Sequence, residues 1–524
     1  LNHIELFAGC GGLSLGLEKS GFELTLANEL SPMAAETFAY NFLSEDLARL
    51  AVECKSQTKA LWLSSQYKNT DLAHRLRENP YHFPIMEGET DMPANPEELQ
   101  GKLVVGSIVQ LNNFFEDRVA HQIALRDGFG HGGIDLVSGG PPCQSFSMAG
   151  LRERDSEKNV LPWEFAKFVK MANPKFAVLE NVTGILRPFT KNGVSYHAWF
   201  EVAKAFAEIG YVPLCLHINA RLSGVPQNRP RFVMINIRLD VYRNIEYSLN
   251  ESELSLFKSG FDFLRKLERD ASSIELGDLS YFDVKRPSHL SLFEDSFLKY
   301  LVNGSEVTVK EALDDLRFHG EAQKSVFVNK LNSMFGCESK YGQVYNHERR
   351  KNGELVQRRF RLYQVLQKCE RNVIHDVFAI LKCKECSLSD ESWEVLSRYE
   401  YMVEGQTYRK FKLNEKNNFI KFLQEHPTKK RTQKALDAFA PAPSTLSIPD
   451  DVCHYDDNEL RTLTVREMAR IQSFPDNFIF RSKATTGGQM RKFEVPQYTQ
   501  VGNAVPPILG FALGKSIIDL LNRL

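Results

Sequence analysis

Through residues 1–237, short apolar runs closed by small or polar residues alternate with segments of helical period. The run HIELF (3–7) stops at the glycines of AGCGG. A helical SLGLEKS (14–20) follows, then a second run, FELTLANE (22–29), and a helix over about residues 32–43. Further runs are LVVGSI (103–108), IDLVSG (134–139), FAVLEN (176–181), VPLCLHIN (212–219) and RFVMINI (231–237). Apolar runs of about four to eight residues between turn signals read as strands buried on both faces. Strands alternating with helices predict an α/β fold with a doubly wound, mostly parallel, Rossmann-like sheet.

Two stretches break this rhythm. Residues 44–101 are polar, suggest no strand of their own and read as an insertion, a plain surface elaboration in preference to the alternative of a partner-binding or DNA-clamping element. From residue 238 to 460 the chain is polar, dotted with aromatics and locally basic, with a proline-rich break at FAPAPSTLSIPDD (439–451). A second, smaller domain is expected there, since 524 residues are too many for one core.

Composition adds exclusions. With 43% hydrophobic and 25% charged residues the chain is of globular type. No apolar run approaches the roughly 18 residues of a membrane span, and the opening LNHIELF has no signal-peptide pattern, so a cytoplasmic protein without membrane association is expected. Nine scattered cysteines suggest free thiols. Cys383 and Cys386 have metal-clip spacing, but no second such pair accompanies them, and no metal site is expected. The net charge of −1 does not advertise nucleic acid. Locally, residues 409–434 hold nine basic residues against two acids, and a smaller basic excess lies in 346–361. Either is a solvated face or a phosphate-binding surface.

Candidate chemistry begins at the glycines of ELFAGCGG, which let a backbone approach a ligand after the first strand. Their spacing is not that of the dinucleotide motif. The second strand ends in Asn28 and Glu29, and an acid there commonly accepts from ribose hydroxyls, which suggests an adenosine-containing cofactor. A tight turn with a surface acid is the plainer alternative. In GGPPCQSFSMAG (139–150), Cys143 follows two prolines at the carboxyl end of a strand, where open α/β sheets hold reactive groups.

In order, the chain carries ELFAGCGG, ANE, GGPPCQSFS, ENV (180–182), QNRPR (227–231), RTLTVREMARIQSFPD (461–476) and QVGNAVPP (500–507). This set resembles the DNA cytosine-5 methyltransferases, in particular the bacterial type that accompanies restriction endonucleases. The resemblance implies S-adenosylmethionine as cofactor and double-stranded DNA as substrate, with a cytosine flipped into the active site. It implies a catalytic domain at 1–237, target recognition at 238–460, and motifs at 461–524 that return to the catalytic domain. A monomer in the bacterial cytoplasm, functionally paired with an endonuclease, is expected.

By the same resemblance Cys143 is the nucleophile at carbon 6 of cytosine, Glu180 contacts ring nitrogen 3, and Arg229 and Arg231 lie near the base, Arg231 closer to its oxygen. Cofactor contacts fall to Phe7, Gly9, Cys10, Gly12, Glu29, Ser107, Ile108, Pro142, Asn503 and Val505, and DNA contacts to Gln144 and Ser147. One departure stands out: the third strand ends in GSI, so Ser107 occupies the place of an aspartate that accepts from the adenine amino group. Two rivals are less favoured. A tRNA methyltransferase of this fold has a much shorter segment before RTLTVRE, and a non-enzymatic relative would be expected to lose Cys143 or Glu180. A cysteine phosphatase loop would need arginine where Ala149 stands.

Overall fold

The computed structural model describes residues 1–82, 88–142, 161–191, 194–337, 344–428, 433–444, 449 and 452–524. It divides into two compact units. The first comprises Leu1–Glu306, Gln472–Phe474 and Phe478–Leu524, and the second Val307–Ile471 and Pro475–Asn477. The change of unit expected at residue 238 therefore lies at 306/307, and residues 461–471 belong to the second unit rather than the first.

The first unit is an α/β unit built on nine strands: β1 (Asn2–Leu6), β2 (Glu23–Glu29), β3 (Ala60–Trp62), β4 (Lys102–Val105), β5 (Leu136–Gly139), β6 (Phe176–Val182), β7 (Tyr211–Asn219), β8 (Pro230–Arg238) and β9 (Tyr281–Asp283). They form one sheet in the order β9-β7-β8-β6-β5-β1-β2-β4-β3. Every residue of the central β1 is buried, as a strand covered on both faces requires. Pairing is parallel except at β8, which runs antiparallel to β6 and β7. The link from β7 to β8 is too short for the crossover that a parallel pair needs.

Two strands lie where the sequence suggests none. β3, inside the 44–101 insertion, pairs with β4 at the sheet edge; three residues, ALW, are too few to give a periodic signal. β9, beyond residue 238, pairs with β7 at the other edge. Helix α1 (Gly12–Ser20) packs against the carboxyl-terminal helix Pro507–Leu521. Gly16 makes this approach possible: a Cβ there would stand 2.3 Å from the Pro507 carbonyl oxygen and 2.4 Å from the Phe511 nitrogen.

The second unit is mainly helical; among its described residues Glu400–Met402 pairs with Tyr408–Lys410 in a short hairpin, and Lys434–Ala435 pairs in parallel with Val452–Cys453. The aromatics dotted along its sequence form its core, including Phe360, Trp393, Tyr401, Phe411, Phe419 and Phe422. The RTLTVRE motif contributes buried ion pairs. Arg461 donates to both oxygens of Glu467 at 2.7 Å, and Arg470 pairs with Asp476 at 2.7 Å and with Asp315. Among the described residues no single helix is long and apolar enough to cross a membrane. Cys383 and Cys386 are exposed, and no group of three potential metal ligands occurs among the described residues.

Candidate active site

The site lies in the first unit, at the carboxyl ends of β1, β2, β4, β5 and β6. After β1 the backbone turns through Phe7 (φ +54°), Gly9 (φ +58°) and Gly11 (φ +94°) before entering α1. A bulky residue at positive φ is uncommon and marks a constrained turn. Gly9 faces open space, with no heavy atom within 4 Å of where a Cβ would stand, whereas a Cβ on Gly12 would meet the Val505 carbonyl oxygen at 2.2 Å. The turn is thus open on one side and tightly packed on the other.

Glu29 braces the turn. Its Oε2 accepts from the Gly9 amide at 2.8 Å and its Oε1 from the Ser31 amide at 2.8 Å. Burial raises its pKa while these amides work against the rise. The neighbouring Asn28 donates to the carbonyls of Val104 (3.0 Å) and Gly106 (3.1 Å), locking the end of β2 to the end of β4. Ser107 caps the helix Ile108–Glu116, its Oγ accepting from the Val109 amide at 3.3 Å. Glu5, buried beneath the turn, accepts from the Ser14 hydroxyl, and burial raises its pKa well above the carboxylate range.

All ten residues expected at the cofactor line one cavity of about 280 Å³. Its wall continues to Gly140, Pro142 and Glu180. Glu180 is 8% exposed, and its Oε1 is held by the Arg231 Nε at 2.7 Å. A Cβ on Gly140 would stand 3.2 Å from the other oxygen, Oε2, so glycine at that position leaves room beside it. Burial pulls the Arg231 guanidinium below its ordinary pKa, against which the Glu180 carboxylate works.

The two arginines expected to act together have different partners. Arg231 pairs with Glu180, while Arg229 donates to the carbonyls of Gly502 (2.9 Å) and Ala504 (3.0 Å). Arg229 therefore fixes the turn that carries Asn503 and Val505. Cys10 lines the cavity but is a buried thiol, donating weakly to the Gln500 carbonyl at 3.7 Å, and burial pushes its pKa up. Cys143, Gln144 and Ser147 lie outside the described residues.

The site also contains residues that sequence reasoning did not assign. Gln500 is buried, accepts from the Thr37 hydroxyl at 2.6 Å and donates to the Met33 and Val495 carbonyls; its place in QVGNAVPP was the available signal. Pro80 and Tyr81 of the insertion, and Arg491 to Val495, also line the cavity. No motif marked them.

The family model described as C-5 cytosine-specific DNA methylase matches residues 1–58 and 111–519. The chain belongs to this family. Its activity is accordingly DNA (cytosine-5)-methyltransfer, and the family implies S-adenosylmethionine as methyl donor. Among named relatives, the methylase is 26% identical over 529 residues to the type II methyltransferase M.DdeI of Desulfomicrobium norvegicum, spanning 100% of this chain and 91% of the relative. It is 24% identical to M1.HphI of Haemophilus parahaemolyticus, covering 99% and 87%, and 26% identical to M.Bpa9945I of Bacillus paralicheniformis, covering 99% of both.

Proposed function

We propose that this methylase modifies a flipped-out cytosine within one specific double-stranded DNA sequence through a covalent Cys143 adduct, and serves in a restriction-modification system alongside an endonuclease. The single observation carrying the active-site reading is the continuous cavity that joins the Gly9–Glu29 turn to Glu180, which Arg231 holds. The restriction-modification context rests on three relatives matched over nearly their whole lengths and named type II methyltransferases.

The cavity suits S-adenosylmethionine: Gly9 leaves space at the turn, Glu29 offers a carboxylate at the end of β2, and Phe7 and Ile108 supply apolar surface. When bound, S-adenosylmethionine supplies an electrophilic methyl group. Carbon 5 of cytosine is a poor nucleophile, so the Cys143 thiolate first adds to carbon 6, a thiolate being both strongly nucleophilic and able to leave. Electron density moves to nitrogen 3, where the Glu180 carboxyl, in its protonated form, gives that nitrogen a proton and takes it back when the ring is restored. Arg231 holds one oxygen of Glu180 and leaves the other, on the Gly140 side, for the base. After carbon 5 has been methylated, loss of its proton and expulsion of Cys143 restore the aromatic ring. In this scheme Arg229 is a positioning residue, acting through the turn at 502–504.

Target recognition belongs, on this reading, to the second unit, residues 307–471, where major-groove contacts would read base edges and lysines would meet phosphates. Bacterial cytoplasm and a monomeric state complete the proposal.

Duplex DNA carrying 5-fluorocytosine at the target tests the chemistry, because fluorine cannot leave as a proton does. In the presence of S-adenosylmethionine the wild-type protein should form a denaturation-resistant adduct and Cys143→Ala should form none. An equally abundant adduct with the alanine variant would remove Cys143 from the mechanism.

A further inference from the structure

The insertion touches the cavity at Pro80 and Tyr81. Its Trp62, Leu72 and Leu76 are buried in a core shared with Phe38, Leu103 and Val105, and β3 fixes it to the sheet. Arg75 is fully buried, lies over the Trp62 ring with its guanidinium carbon 5.4 Å from the centroid, pairs with Asp91 and donates to the Tyr67 carbonyl at 3.0 Å. Glu78 accepts from the Ser65 hydroxyl and the Gln66 amide, both at 2.7 Å. Asn79 then accepts from the Tyr81 amide at 3.0 Å, turning the chain so that Pro80 and Tyr81 reach the cavity wall.

A second segment meets it there. Glu494 is held by Lys483 and by the Thr486 hydroxyl, and the Phe493 amide donates to the Met490 carbonyl at 3.0 Å. The Phe493 ring stands edge-on to Tyr81, with centroids 6.1 Å apart and planes at 63°. Two segments more than 400 positions apart in the chain thus place two aromatic rings together on the wall of one cavity. Tyr81 is 44% exposed, so part of its ring surface is open to a ligand held in the cavity that it lines. Residues 59–110 also fall between the two stretches matched by the family model.

We propose that Tyr81 and Phe493 form an aromatic cap that covers S-adenosylmethionine in this cavity and slows its exchange with solvent. The inference rests on the reading of the cavity as the cofactor site. The insertion is then a cofactor-retaining element rather than a surface elaboration.

The test is calorimetric titration with S-adenosylhomocysteine, together with steady-state kinetics on target DNA. Tyr81→Ala and Phe493→Ala should each weaken binding by roughly fivefold to tenfold, the weight of one aromatic contact that desolvates a ligand face. The loss should fall on the KM for S-adenosylmethionine rather than on kcat. Tyr81→Phe keeps the ring and should bind tightly; if it binds as weakly as Tyr81→Ala, the cap is overturned. Glu29→Ala separates the two readings. Weakened binding by Glu29→Ala with unchanged binding by both cap variants would leave the cofactor site standing and sink the cap. Unchanged binding by all three alanine variants would sink both.

Discussion

At the scale of single residues, Ser107 shows how the structure alters a prediction. It caps a helix and also lines the cavity, and aspartate is as good a cap as serine. Ser107→Asp should therefore keep the fold while offering a charge-assisted acceptor, about twice as strong as a neutral one. S-adenosylmethionine binding should tighten about fivefold, as read by calorimetry; equal or weaker binding would mean that the adenine is held elsewhere. Arg229 makes a contrasting case. Arg229→Ala would leave the Gly502 and Ala504 carbonyls without their donor, at a cost on the order of 3 kcal/mol of stability. Its cofactor affinity should also fall, because the displaced turn carries Asn503 and Val505. His454 adds a pH dependence. Fully buried, it accepts from the Asp456 amide at Nδ1 and is held neutral, its pKa lowered by burial from 6.5 to about 4. The unfolded chain takes up this proton first, so the stabilisation is complete above pH 6.5 and is lost as pH falls toward 4. Urea unfolding of the second unit should show a decline on the order of 2 kcal/mol between about pH 7.5 and 4.5. A constant midpoint over that range would contradict it.

At the scale of elements, the contact between α1 and Pro507–Leu521 joins the beginning of the chain to its end through Gly16. Alanine is the better helix former by about 1 kcal/mol, yet its methyl would strike backbone atoms, which cannot rotate away as a side chain can. Gly16→Ala should lower stability by roughly 1–3 kcal/mol, measured as a reduced melting temperature. An unchanged or raised melting temperature would show that the helices can separate at little cost.

At the scale of the whole molecule, its near-neutral net charge conceals local asymmetry. In the basic segment 409–434, Arg409 pairs with Glu415 and Lys416 with Asp390, which reduces the charge left for DNA. Residues 429–432 lie outside the described residues. Lys410, Lys412 and Lys421 are exposed on the second unit. Replacing these three by glutamine should lower the slope of log affinity against log salt by roughly 0.9 for each phosphate no longer neutralised, with similar weakening on target and non-target DNA. An unchanged slope would make them a solvated face.

The strands from β1 to β8, apart from β3, and ten of the residues that line the cavity were legible along the chain, because long buried strands carry continuous apolar runs and turns that approach a ligand need particular residues such as Gly9 and Glu29. The basic clusters were legible as composition, but their ion pairs were not. β3 and β9, three residues each, were decided by tertiary pairing at the sheet edges, where an existing strand supplies the hydrogen bonds that so short a segment cannot specify. The divergence of Arg229 and Arg231 also required the fold, since spacing in QNRPR says nothing about a carbonyl more than 270 positions away. The same holds for Tyr81 beside Phe493. Local sequence encodes period and turn chemistry, whereas which distant segments meet is determined by the closing of the core.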